Sequence, residues 1–204
     1  MLRRVFLAVV LLCMAGLPAH ATPSEAAAKA LIDGMASDAI SVLSAPGRSE
    51  TQVSAKFHAI LKQYFNIDEI SRFVLGRFWR TASPAQLADY QSLFEDYVVG
   101  IYANRFRQYS GETVSVIGSR VENGHVIVAS TINLTSGAKP VLAEWKVGDG
   151  PERRPMVDDV IIEQVSMSIT QRSEFSTIIQ NGGGKVDVLI SQLRNKVGRS
   201  TSPG

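Results

Sequence analysis

The chain is poor in the side chains that most enzymes rely on. Among its 204 residues it has one cysteine, Cys13, and three histidines. Cys13 and His20 both fall in an N-terminal segment that reads as cleaved. The mature protein is therefore expected to have no disulfide, no thiol nucleophile and no cysteine-based metal site. Of the remaining histidines, His58 sits among apolar helical positions and His125 follows an Asn-Gly turn, and neither has the neighbours of a base or a metal ligand. There is no G-x-S-x-G elbow, no paired-histidine motif and no carboxylate cluster at ligand spacing. Asp158-Asp159 is an adjacent acidic pair, but on an extended strand the two side chains point to opposite faces and cannot share a proton. Gly182-Gly183-Gly184-Lys185 fails the P-loop pattern, because Ile179 stands where its first glycine belongs and Val186 where its hydroxyl belongs. It reads as a break between helices. No metal and no cofactor are expected.

Long-range charge is also lacking. The 21 basic residues include Arg3 and Arg4, and without those two, 19 basic face 19 acidic side chains. Such balance generates no field for a polyanion, and neither nucleic acid nor a nucleotide is expected as a partner. No repeat stands out, and no apolar run after the first 21 residues is long enough to cross a membrane.

What is present begins with an address. Arg3-Arg4 precede an unbroken apolar run, Val5 to Leu12, and Ala19-His20-Ala21 supplies small residues for a signal peptidase. Residues 1–21 read as a signal peptide cut after Ala21. Leu12 before Cys13 argues against a lipobox. Residues 22–204 then form one domain outside the cytoplasm, roughly 180 residues, enough for a sizeable core without disulfides.

Helical periodicity covers Ser24 to Leu43, with Pro46-Gly47 as its stop, and Glu50 to Tyr64. Asn66 begins a short third helix. Ser83-Pro84-Ala85-Gln86 is a strong start for a long fourth helix that runs to about Tyr109. Its stripe is apolar and rich in aromatics: Leu87, Tyr90, Phe94, Tyr97, Val98, Ile101, Tyr102 and Phe106. From Glu112 the period changes to two. Turns at Asn123-Gly124, Ser136-Gly137 and Gly148-Asp149-Gly150-Pro151 separate four strands, the last from about Met156 to Ile169. Helices over Gln171–Gln180 and Val186–Val197 close the chain. The expectation is an α+β domain: a curved, four-stranded antiparallel meander packed against several helices. Periodicity alone does not separate a filled core from one with an apolar cavity.

Two segments carry a resemblance. The first runs from Phe65-Asn66-Ile67-Asp68-Glu69-Ile70-Ser71-Arg72 through Val74-Leu75-Gly76-Arg77-Phe78-Trp79-Arg80 to Ser83-Pro84-Ala85-Gln86. The second runs from Val157-Asp158-Asp159-Val160 to Val165-Ser166-Met167 and on to Gln171-Arg172-Ser173-Glu174-Phe175. Together they resemble the MlaC family, also called the toluene-tolerance or ABC-transporter auxiliary family, and they are similar to its hopanoid-associated HpnM branch. Gln164 departs from the pattern, since the family usually has glycine there, and its side chain is expected to narrow what the strand lines.

The resemblance implies a periplasmic carrier. It would hold the acyl chains of a phospholipid or hopanoid-type lipid in an apolar cavity between sheet and helices. It would exchange that cargo with an inner-membrane ABC transporter complex and an outer-membrane lipoprotein complex. By face and position, the expected lining is Phe73, Leu75, Val98, Ile101 and Tyr102 from the helices, with Val128, Ile132, Trp145, Ile161 and Val165 from the strands. Arg72 and Arg172 are candidates for headgroup contact or docking. Two rivals stand beside this reading. A small pocket hydrolase or isomerase would have to use Asp159, Glu163 or His125, and an envelope tether would carry nothing.

Overall fold

The structure, a computed structural model, describes residues 22–45, 47, 49–106 and 109–200, with no side-chain description at 50, 102–106 and 199–200. The signal-peptide reading and the stop at Pro46 lie outside the described residues. Four helices come first: α1 Glu25–Ser44, α2 Glu50–Tyr64, α3 Ile67–Leu75 and, after a 3-10 turn at Gly76–Arg80, α4 Pro84–Phe106. The sheet follows as β1 Thr113–Glu122, β2 His125–Asn133, β3 Val141–Asp149, β4 Pro155–Ile162 and β5 Val165–Ser166, and the chain closes with α5 Met167–Asn181 and α6 Val186–Ser200. Among the described residues, no helix is long and apolar enough to cross a membrane.

Local chemistry explains the boundaries. Ser83 and Gln86 form the reciprocal capping box: the Gln86 N–H donates to Ser83 Oγ (3.2 Å) and the Ser83 N–H to Gln86 Oε1 (2.9 Å). Asn123 and Gly124 both take positive φ, 48° and 77°, the type I′ geometry that matches strand twist. The glycine run ends α5 with a Gly184 N–H to Ile179 carbonyl bond of 2.8 Å.

The sheet is an antiparallel meander in the order β1-β2-β3-β4-β5, with five strands rather than the expected four. The strand expected over Met156–Ile169 stops at Ile162. Glu163 and Gln164 turn at φ 47° and 68°, and β5 pairs back through Ile162–Val165 and Ile161–Ser166. Ser166 then caps α5, its Oγ accepting from the Ile169 N–H at 3.1 Å, so the helix starts at Met167 and not at Gln171. Neither Glu nor Gln favours a left-handed backbone, which is why this turn is silent in the sequence. Gln164 is exposed on this turn and not on a strand face. Gln164→Gly removes left-handed strain and should raise the unfolding free energy by about 1 kcal/mol, read by thermal melting.

Two bulges re-aim side chains. In β1 the register shifts between Val116 and Gly118, and the extra residue, Ile117, is 60% exposed. In β4, Val147 pairs with Val157 but Lys146 pairs with Asp159, so Asp158 is the extra residue. Beyond it, the parity of β4 is reversed.

The buried apolar residues fall into separate clusters. One lies among the helices and includes Leu75, Phe78, Tyr90, Phe94, Tyr97, Phe175 and Leu189. Another joins α1 and α2 to one end of the sheet through Ile32, Met35, Ile60, Val126, Val128, Val147 and Val157. Phe57, Leu61 and Val99 form a small third group between α2 and α4. A domain of this size usually has one contiguous core. Helix α1 lies across β1, β2 and β4, whereas α4 packs chiefly on α6 and α2.

Candidate functional site

Strand register defines the helix-facing side of the sheet. Val128 pairs with Trp145, Ser130 with Ala143 and Ile132 with Val141. Trp145 in turn pairs with Val160, and Ala143 with Ile162. Paired residues share a face, so Val128, Ile132, Trp145, Val160 and Ile162 look the same way. Val128 is fully buried, while Ile132, Val141, Trp145, Val160 and Ile162 are only half-buried. Trp145 is fixed in place: its indole N–H donates to Ser130 Oγ (2.8 Å), and the buried Ser130 hydroxyl donates to the Ala143 carbonyl (3.2 Å). The polar atoms of this pair are satisfied, leaving the ring for apolar contact.

The expected lining residues do not all meet here. Ile161 pairs with Glu144 and so lies on the opposite face from Trp145. The bulge at Asp158 reverses the parity that runs on from Val157, and Val160 and Ile162 take the places that sequence alternation gave to Asp159 and Ile161. Val165 pairs with Ile162 at the edge of the apolar face and is 51% exposed. Phe73 is 42% exposed on α3, and Leu75 is buried in the helical cluster. Val98 and Ile101 are half-buried against that same cluster from α4. The Tyr102 side chain lies outside the described residues.

A cleft of about 460 Å³ lies where α3 and the start of α5 meet the strand ends, lined by polar Asn66, Glu69, His125, Lys146, Asp158 and Asp159 and by apolar Ile70, Phe73 and Ile169. Because of the bulge both adjacent aspartates line it, contrary to the expectation of opposite faces. They have different partners. Asp159 caps α5, its Oδ1 accepting from the Ser168 N–H (3.0 Å) and its Oδ2 from the Ser166 hydroxyl. Asp158 accepts from Asn66 Nδ2 (3.2 Å) and faces His125 Nε2 at 3.4 Å. His125 Nδ1 lies 3.0 Å from the Asn123 carbonyl, which only accepts, so that nitrogen carries a hydrogen. Asn66, expected as a helix cap, makes no side-chain cap bond and serves Asp158 instead.

Burial holds the Asp158 carboxyl above its ordinary pKa, against the opposing pull of the Asn66 bond, His125 and Lys146. An acid whose folded pKa is raised favours folding while protonated, and that contribution is lost as pH rises from about 4 through the raised value. Asp158→Asn should therefore flatten the stability–pH curve above about pH 4, in urea unfolding at stepped pH.

None of the catalytic candidates enters the apolar face. Asp159 is occupied in the cap, and His125 lies in the cleft beside α3. Exposed Glu163 accepts from the Leu142 N–H at 2.8 Å on the β4–β5 turn. His58 pairs with Glu95 between α2 and α4, and Lys62 reaches the same carboxylate at 3.1 Å. Among the described residues, no group of three His, Cys, Asp or Glu side chains is placed to hold a metal ion.

The two segments that carry the sequence resemblance pack on one another. Phe65 bridges Val157, and the Asn66 N–H donates to the Val157 carbonyl at 2.9 Å. Arg172 lies over the Phe73 ring, 4.9 Å from its centroid. Gly76, at φ 59°, ψ −129°, lies so close beneath Arg172 that a Cβ would come 2.9 Å from Nε. Only glycine adopts that backbone readily. Gly76→Ala should cost about 2 kcal/mol in chemical unfolding and displace Arg172 from its ring.

The family model for the MlaC protein matches residues 33–195. The chain belongs to the MlaC family. Within that span MlaC membership covers both packed segments, the apolar sheet face and the cleft beside α3. A solved structure with the same fold is described as the phospholipid-binding protein from Ralstonia solanacearum in complex with a phospholipid. It superposes with a TM-score of 0.75 at 23% identity, over 86% of this chain and 99% of that one.

Proposed function

We propose that this MlaC-family chain is a periplasmic lipid carrier. It takes up the acyl chains of a phospholipid along the seam between the helix-facing sheet surface and α4. The observation that carries the reading is the half-buried apolar row Ile132, Trp145, Val160 and Ile162, set apart from the buried helical cluster, against whose outside the half-buried Val98 and Ile101 pack. In a filled domain these side chains would be packed away. Here they are left partly uncovered, with Val165 at the rim. Family membership and the phospholipid-bound Ralstonia protein of the same fold support the choice of occupant.

The energetics explain why such a protein would be built this way. Each buried methylene is worth about 0.8 kcal/mol, so two acyl chains carry on the order of 20 kcal/mol that bulk water cannot supply. A carrier replaces the membrane interior with apolar side chains and needs no nucleophile, metal or nucleotide. The cargo would pass between an outer-membrane lipoprotein complex and an inner-membrane ABC transporter complex, whose cytoplasmic side would supply the energy for direction.

The test is native mass spectrometry of the chain purified from a bacterial envelope. The expected result is a protein ion with one phospholipid bound. A hopanoid-type lipid would move the cargo to the HpnM branch. A stable apo ion with no uptake from labelled vesicles would favour a tether, and a bound small product would favour a pocket enzyme.

A further inference from the structure

We propose that the outer surface of α3 and the Gly76–Arg80 turn, completed by Arg172 of α5, docks an acidic face of a partner protein. It gives the carrier reading a docking surface and rests on that reading for its purpose, though not for its chemistry. The mature chain is expected to be charge-balanced, yet Arg72, Arg77, Arg80 and Arg172 are all exposed in one region. Among the described residues no carboxylate lies within 4.0 Å of Arg77, Arg80 or Arg172, and Arg72 reaches Glu69 only at that limit. Three of the four cations are also held in position. Arg72 lies 5.8 Å from the Trp79 ring centroid, Arg77 4.9 Å from Phe78 and Arg172 4.9 Å from Phe73. Stacking on a ring restricts the long side chain while leaving the guanidinium edge free. The result is a rigid set of forks suited to bidentate capture of carboxylates, with much of the ordering cost met before binding.

A bilayer is the poorer occupant. The exposed aromatic in the patch, Phe73, has Arg172 over its ring, and inserting it into a bilayer would break that contact. Basic residues alone bind membranes weakly without a second, apolar signal.

The test uses the full chain in intact envelopes of its own host. In an Arg80→Lys variant the amine stands on the patch, and a zero-length carbodiimide joins it only to a carboxylate in contact. The expected product, mapped by mass spectrometry, is an amide from position 80 to an Asp or Glu of another envelope protein, with none at exposed Lys139. Adding Arg77→Glu should lower the yield about tenfold. No bond at position 80, or equal bonding at Lys139, overturns the proposal. So does sedimentation of the unaltered chain with phosphatidylglycerol vesicles that is abolished by Arg77→Glu, because the patch is then a membrane contact. Lipid load is measured on the same preparation. A cross-linked but empty chain would sink the carrier reading and leave the docking surface standing.

Discussion

Ile101→Trp should reduce co-purified phospholipid at least about tenfold while leaving the fold and its melting temperature nearly unchanged. The two halves of that expectation belong together. In a close-packed interior, the larger ring would force neighbours off their rotamers at about 1–3 kcal/mol. In an open seam the indole occupies space meant for hydrocarbon, so stability is kept and cargo is lost. Val160→Trp approaches the same space from the sheet and should behave alike. Native mass spectrometry and circular dichroism on the same samples separate the outcomes. Destabilised variants with full lipid load would mean that the seam is solid.

The largest effect on stability is expected elsewhere. Phe175→Ala should remove about 4 kcal/mol and lower the melting temperature by about 10 °C. Phe175 is fully buried, and its ring meets Phe94 edge-on at 6.2 Å and Tyr90 at 6.3 Å, with Tyr97 at 5.9 Å. Its loss deletes the transfer term, leaves a cavity and breaks three ring contacts at once. A total stability of about 5–15 kcal/mol makes that a large fraction. The helical cluster is solid by this account, and the contrast with Ile101→Trp tests the division of the interior into a packed part and an open part. A cost below about 1 kcal/mol at Phe175 would contradict the division.

Much of the fold was legible because the signals were local. The Ser83–Gln86 box and the Asn123-Gly124 turn are chemical instructions contained within four residues, and both elements begin where the sequence says. The parts that were not legible depend on distant partners. Nothing in Glu163-Gln164 announces a left-handed turn; that geometry is held in place by pairing with β3, where the Glu163 N–H donates to the Leu142 carbonyl at 3.0 Å. The bulge at Asp158 is likewise set by the register against Lys146 and Val147. It moved Ile161 off the face assigned to it and brought Val160 and Ile162 in. Trp145 and Val128 share a face, as simple alternation expects, because β2 and β3 pair without interruption. Phe73 and Leu75 were read together but part company: Leu75 is core, whereas Phe73 is exposed at the mouth of the cleft beside Arg172. The need for glycine at position 76 becomes physical only when Arg172, nearly a hundred residues later, is seen above it.

Hydrocarbon is expected to lie against the Trp145 side of the sheet. The chain has two tryptophans, so Trp79→Phe leaves Trp145 as the sole indole. Loading that variant with a phospholipid brominated in mid-acyl chain, and comparing its fluorescence with the unbrominated lipid at equal occupancy, reads the contact directly. Strong quenching of Trp145 by the brominated chain is the predicted result. Full lipid occupancy with Trp145 emission unchanged would contradict the account.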